Sequence, residues 1–112
     1  MKIAIPTAEG TLCPHFGHCE KFYIVDADQK SGQVSKPTEI TPPPHEPGVI
    51  PKWLHSLGVN AIIAGGMGMR AQQFFQEFGI QVIVGASAEA PDKLVKQWLS
   101  GSLVTGSNVC DH

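Results

Sequence analysis

The chain has 112 residues, 42% of them hydrophobic and 16% charged, with three cysteines, five histidines and a formal net charge of -2. That length makes one domain spanning residues 1–112, able to bury roughly two thirds of the surface its unfolded form exposes, so neither a disulfide nor a metal is needed merely to fold it. The balance is that of a soluble globular protein, and a slightly acidic chain lacks the basic face that duplex nucleic acid demands, which sets nucleic acid aside as a partner.

The amino terminus, Met1-Lys2-Ile3-Ala4-Ile5-Pro6, holds an apolar stretch too short for a secretory core or a membrane span. A cytoplasmic location with no membrane partner is the expectation. An odd number of cysteines cannot pair completely within one chain, and a reducing compartment keeps thiols reduced, so Cys13, Cys19 and Cys110 are available as ligands.

Residues 2–6 read as the first strand. Directly after it, Cys13-Pro14-His15-Phe16-Gly17-His18-Cys19 packs two thiols and two imidazoles into seven residues. Thiolate and imidazole together suit copper(I), zinc and iron-sulfur species, whereas hard ions prefer the carboxylates this loop lacks. Neighbours on an extended chain point opposite ways, so His18 and Cys19 are not both aimed at one ion. About two or three of the loop's groups can converge, fewer than the full tetrahedral shell of a closed structural zinc site. The plain alternative is a polar loop with one thiol buried as a small hydrophobe.

Residues 21–26 and 34–41 are further strand-like runs, joined by the turn sequence Asp28-Gln29-Lys30-Ser31-Gly32 in an antiparallel hairpin. The proline-rich connector Thr41-Pro42-Pro43-Pro44-His45-Glu46-Pro47 is stiff and extended, and His45 on it can approach the opening loop from another side. A helix is expected over residues 48–57, with Val49, Ile50, Trp53, Leu54 and Leu57 apolar and Gly58 ending it. His55 falls off that stripe and reads as surface.

Strand and helix signals then alternate. Residues 59–64 form a near-continuous apolar strand, and Gly65-Gly66-Met67-Gly68-Met69-Arg70 opens the next helix. Glycines there let the backbone approach a ligand, and free N–H groups with the helix dipole favour an anion. The lysine and Ser/Thr of a P-loop are missing, and the dinucleotide fingerprint does not fit; a tight strand-to-helix turn is the structural alternative. Ala71, Phe74, Phe75 and Phe78 make one apolar stripe closed by Gly79, residues 80–84 a second parallel strand, and Pro91 to Gly101 a last helix with Leu94, Val95, Trp98 and Leu99 on one side. The pattern predicts a mixed sheet of about five strands with helices packed on it, an α/β domain of ribonuclease H-like style.

Ligands of α/β sheets bind beyond the carboxyl ends of the strands. If the first strand and the strand at residues 59–64 are parallel neighbours, the thiol-imidazole loop and the glycine loop stand side by side. Such a pocket offers soft side chains and backbone donors to an anionic sulfide cluster, with Met67 and Met69 as thioether contacts or simple packing. The carboxyl end, Asn108-Val109-Cys110-Asp111-His112, adds a thiol and an imidazole within residues 105–112, which read either as a tail folding over the site or as a flexible, disordered one. A two-metal nuclease is disfavoured: the first strand carries no acid, and Asp26 and Asp28 have no obvious partners.

Ile3-Ala4-Ile5-Pro6-Thr7, His15-Phe16-Gly17-His18-Cys19, Ala64-Gly65-Gly66-Met67-Gly68, Phe78-Gly79-Ile80 and the Asn108 to His112 tail, in this order and spacing, resemble the dinitrogenase iron-molybdenum cofactor biosynthesis family. That family includes nitrogenase cofactor carriers and the molybdenum-copper orange protein. The resemblance implies a ribonuclease H-like fold and no catalysis. It further implies carriage of a preassembled metal-sulfur cluster, molybdenum with iron or copper, held at least partly by non-covalent contacts. Its implied partners are proteins that donate or accept the cluster, with the chain a monomer or weak dimer. The matching positions are His15, Phe16, Gly17, His18 and Cys19, then Gly65, Gly66, Met67 and Gly68, and less firmly Cys110 and His112. Members often carry arginine where this chain has His18, whose charge near neutrality depends on pH; Arg70 then supplies the permanent positive charge. Two other readings stand beside this one. In the first, Cys13, Cys19, Cys110 and nearby histidines bind a single zinc or copper(I) ion. In the second, Cys19 beside His18 is the activated thiol of a transferase or reductase.

Overall fold

The computed structural model describes residues 1–13, 16, 19–44, 46 and 48–106. Strand β1, Lys2–Ala8, reverses at Glu9-Gly10, whose φ angles of 56° and 84° are the two positive values that a type I′ hairpin turn requires. The chain returns as β2, Thr11–Leu12, with Thr7 opposite Leu12. Two residues are too few to register as a periodic pattern. Among the described residues the sheet therefore has six strands where the pattern predicts about five.

Strand β3, Lys21–Asp26, falls on the expected residues and lies antiparallel along the other edge of β1, from Lys2 opposite Asp26 to Thr7 opposite Lys21. The turn that follows closes on Asp28, whose carbonyl accepts from the Gly32 N–H at 2.8 Å and whose carboxylate accepts from the Lys30 N–H at 2.9 Å. The expected strand over residues 34–41 is shorter. Pro37 has no N–H to give a ladder, so pairing survives as an isolated bridge between Ala27 and Val34 and as β4, Thr38–Ile40.

Helix α1, Val49–Ser56, leads into β5, Ala61–Ile63, which runs parallel to β1. Helix α2, Met69–Glu77, leads into β6, Gln81–Ile83, parallel to β5, and α3, Pro91–Ser100, follows. The order is β4-β3-β1-β5-β6, with β2 paired to β1 off that path. Two contacts set the start of the parallel pair: the Asn60 side-chain oxygen accepts from the Lys2 N–H at 2.8 Å, and Lys2 Nζ donates to the Leu57 carbonyl at 2.9 Å at the end of α1, where a cation complements the helix dipole.

Alternation along the strands splits the core into two layers. Ala4, Phe22, Ile24 and Ile62 face one side with Ile50 and Leu54 of α1 and Phe75 of α2, while Ile3, Ile5, Tyr23, Val25 and Ile63 face the other with Leu94 and Val95 of α3. Of the α2 stripe, Phe75 alone is fully buried; Ala71, Phe74 and Phe78 are half-buried. Among the described residues no helix is long and apolar enough to cross a membrane.

Beyond the carboxyl end of the parallel strands the backbone stays paired through glycines. The Gly85 N–H donates to the Gly65 carbonyl at 2.8 Å, and the Gly106 N–H to the Gly85 carbonyl at 2.7 Å. Gly85 has φ 85°, and a Cβ there would overlap the backbone of Gly106. Gly10, at φ 84°, has open space around it. Gly10→Ala is therefore expected to cost only the left-handed backbone penalty, about 1–2 kcal/mol. Gly85→Ala costs that and the displacement of residue 106 as well. Urea unfolding midpoints of the two variants measure the difference, and equal losses would contradict the packed seam.

Candidate functional site

Cys13 and Glu20, on either side of the opening loop, are held at opposite edges of the carboxyl end of β1. On the β5 side the Cys13 N–H donates to the Pro6 carbonyl at 2.9 Å, and on the β3 side the Glu20 N–H donates to the Thr7 carbonyl at 2.8 Å. Carbonyls of adjacent strand residues point to opposite edges, so these two bonds fix both stems of the loop. Pro6 fits between them because its missing N–H lies on the edge where pairing passes from β5 to β2.

A third bond brings the two loops together. The Phe16 N–H donates to the Gly66 carbonyl at 3.0 Å. The Phe16 ring is buried, edge-on to Phe75 at 5.6 Å and to Phe22 at 6.2 Å. Such aromatic pairs add about 0.5–1.5 kcal/mol each to the area they bury. The glycine loop and the opening loop are thus neighbours at the carboxyl edge of the sheet.

Among the expected site residues, Cys13 is buried and Cys19 half-buried, with Cys19 packed against the α1 and α2 side of the core. Gly65 and Gly66 are buried and Gly68 half-buried. Gly68 is the extended cap of α2 and provides no side-chain hydrogen bond to the first turn. Met67 is fully buried in the core, its carbonyl accepting from Gln72 Nε2 at 2.9 Å. Met69 is 59% exposed. Arg70 is exposed, with its guanidinium 5.9 Å from the Phe74 ring centre. His15, Gly17, His18, His45, Cys110 and His112 lie outside the described residues. Among the described residues no group of three His, Cys, Asp or Glu side chains is placed to hold a metal ion.

Sequence reasoning missed a cavity of about 290 Å³ beside the loop, where Phe16 meets the first turns of α1 and α2. Its walls come from segments far apart in the chain. The one local signal was Gly48, whose φ of 80° and lack of a side chain let it lie against Phe74.

The geometry defines an α/β domain that presents a thiol, backbone amides and an exposed guanidinium around the carboxyl edge of a mixed sheet. Residues 1–101 match the family model described as dinitrogenase iron-molybdenum cofactor, and the chain belongs to that family. It is 36% identical over 106 residues to the uncharacterized protein MJ0580 of Methanocaldococcus jannaschii, covering 92% of this chain and 89% of that one. Among solved structures it is similar to PH0822, at 25% identity and a TM-score of 0.86 over 96% of both chains. It also shares its fold with the apo form of the orange protein of Desulfovibrio gigas, at 20% identity and a TM-score of 0.70 over 96% of this chain and 93% of that one.

Burial pushes the Cys19 thiol up to about 11, and the neighbouring Cys13 sulfur adds to the rise. At neutral pH this thiol is protonated, the opposite of an activated nucleophile. In the unfolded chain it ionises at its ordinary, lower value, so the unfolded form sheds a proton that the native form keeps. Stability therefore falls as pH rises from the ordinary thiol range toward 11. Alkylation of Cys19 by iodoacetamide, followed by peptide mass spectrometry, should be slow at pH 7.5, fast in denaturant, and should inflect near pH 11 in the native protein. Rapid native labelling at pH 7.5 would show that the thiol is not held in this way.

Proposed function

We propose that the chain is a non-enzymatic carrier for a preassembled anionic metal-sulfur cluster, containing molybdenum with iron or copper, that passes its cargo to or from a partner protein. The observation that carries the reading is the bond between the Phe16 N–H and the Gly66 carbonyl, which sets the soft-donor loop against the glycine loop and the start of α2. Membership of the iron-molybdenum cofactor family supports it.

The donor set fits such a cargo. A sulfide-rich anion is large, polarisable and hydrogen-bond accepting, and this edge offers the half-buried Cys19, the first-turn amides of α2 and the permanent charge of Arg70. Cys13, His15, His18, His45, Cys110 and His112 are candidate further contacts to metal or sulfide, with Gly17 shaping the loop. A closed single-ion site is not favoured, because among the described residues no group of three His, Cys, Asp or Glu side chains is placed to hold a metal ion. A protonated thiol also suits a cargo that arrives assembled: the cluster is first held by its charge, and coordination by sulfur follows with release of the proton. The strand order, with β3 reversed against β1, β4, β5 and β6 and the short β2 reversed beside β1, supports the ribonuclease H-like assignment. The need for reduced thiols supports a cytoplasmic setting.

Anaerobic reconstitution with tetrathiomolybdate and copper, then desalting, visible spectroscopy and metal analysis, should give a coloured protein of fixed stoichiometry. Arg70→Gln removes a charged donor, and a hydrogen bond to an ion is worth about 1.5–3 kcal/mol. Its apparent affinity for the cluster is therefore expected to fall roughly tenfold or more. A colourless wild-type protein that retains neither molybdenum nor copper would overturn the reading.

A further inference from the structure

The cavity between α1 and α2 shares Arg70 with the proposed cargo contacts and adds to it an anion, Glu46, and an apolar interior. Phe16, Ile50, Pro51, Ala71 and Phe74 give it an apolar interior of about 290 Å³, and its two charged lining residues, Glu46 and Arg70, have opposite signs. Among the described residues neither forms an ion pair, and both are exposed. Gly48 leaves the space open where any side chain would crowd Phe74, since a Cβ there would stand 3.3 Å from its ring. The volume is at the lower end for small-molecule sites, which are apolar concavities with a few polar groups that orient the ligand.

An apolar hollow flanked by one cation and one anion selects against simple ions of either sign. A carboxylate alone would meet Glu46, and an ammonium alone would meet Arg70. A ligand with both charges beside an apolar body satisfies both residues and fills the hollow. We infer that this cavity binds a free α-amino acid with a large apolar side chain, its carboxylate toward Arg70, its ammonium toward Glu46 and its side chain among Phe16, Ile50 and Phe74. The inference shares Arg70 with the proposed cluster contacts, but its test is made without metal, so its failure and the failure of the carrier reading are distinguishable.

The test uses the full-length protein without metal and follows amide shifts by two-dimensional NMR as L-phenylalanine is added. Saturable shifts confined to residues around Phe16, Ile50, Ala71 and Phe74 are expected. The probes 3-phenylpropionate, which lacks the ammonium, and phenethylamine, which lacks the carboxylate, should each bind at least about tenfold more weakly, the equivalent of about 1.4 kcal/mol. Glu46→Gln and Arg70→Gln, both at exposed positions, should narrow the gap to phenylpropionate and to phenethylamine respectively. Ala71→Leu should abolish binding by filling the space. Should that variant fail to fold, the two exposed substitutions carry the test. The inference is overturned if phenylalanine gives no saturable shift at tens of millimolar, if the shifts map elsewhere, or if either singly charged probe binds as well as phenylalanine.

Discussion

One residue holds the site together. Phe16 is pinned at its backbone by the bond to the Gly66 carbonyl and at its ring by Phe22 and Phe75, so the middle of the thiol-bearing loop is part of the core that α2 and β3 also build. A loop with only polar contacts at the end of a strand is free to swing. This one cannot leave without opening the aromatic cluster. The wall of the cavity, the position of Cys19 and the approach to the glycine turn all depend on that anchor.

Much of this was readable in the chain. Apolar runs gave β1, β3, β5 and β6, and glycines at 58, 79 and 101 marked the helix ends, because burial imposes a period and a helix stop needs a left-handed residue. The juxtaposition of the two loops was also legible, since parallel strands deliver their following turns to one edge. What escaped the sequence depends on three-dimensional accidents of contact. Strand β2 is two residues long and visible only through the positive φ of Glu9 and Gly10. Met67 reads from the sequence as either a thioether contact or simple packing, and it is the packing role that it takes, filling the core under the glycine turn. The cavity joins residues 16, 46 to 51 and 70 to 74, which no local pattern connects.

The electrostatics of the edge follow from its burial. Desolvation is the largest influence on Cys19, and it favours the neutral thiol. A site meant to trap a bare cation would do the reverse, lowering the thiol with nearby positive charge so that the ligand is ready. Here the permanent charge, Arg70, stands at the mouth and lies against Phe74. On the proposed carrier reading, such an arrangement attracts an anion first and engages sulfur second, which suits reversible carriage better than permanent capture.

Glycine explains why this edge can be both tight and open. Gly65, Gly85 and Gly106 succeed one another across the carboxyl end of the sheet, joined by backbone hydrogen bonds. With no side chains between them the three backbones lie at strand spacing, so residue 106 runs roughly 10 Å from Gly65. The seam closes the sheet at Gly85, where a Cβ would overlap the backbone of Gly106. With Gly65 and Gly66 buried, the chemistry of the edge is left to the few side chains around the Phe16 anchor.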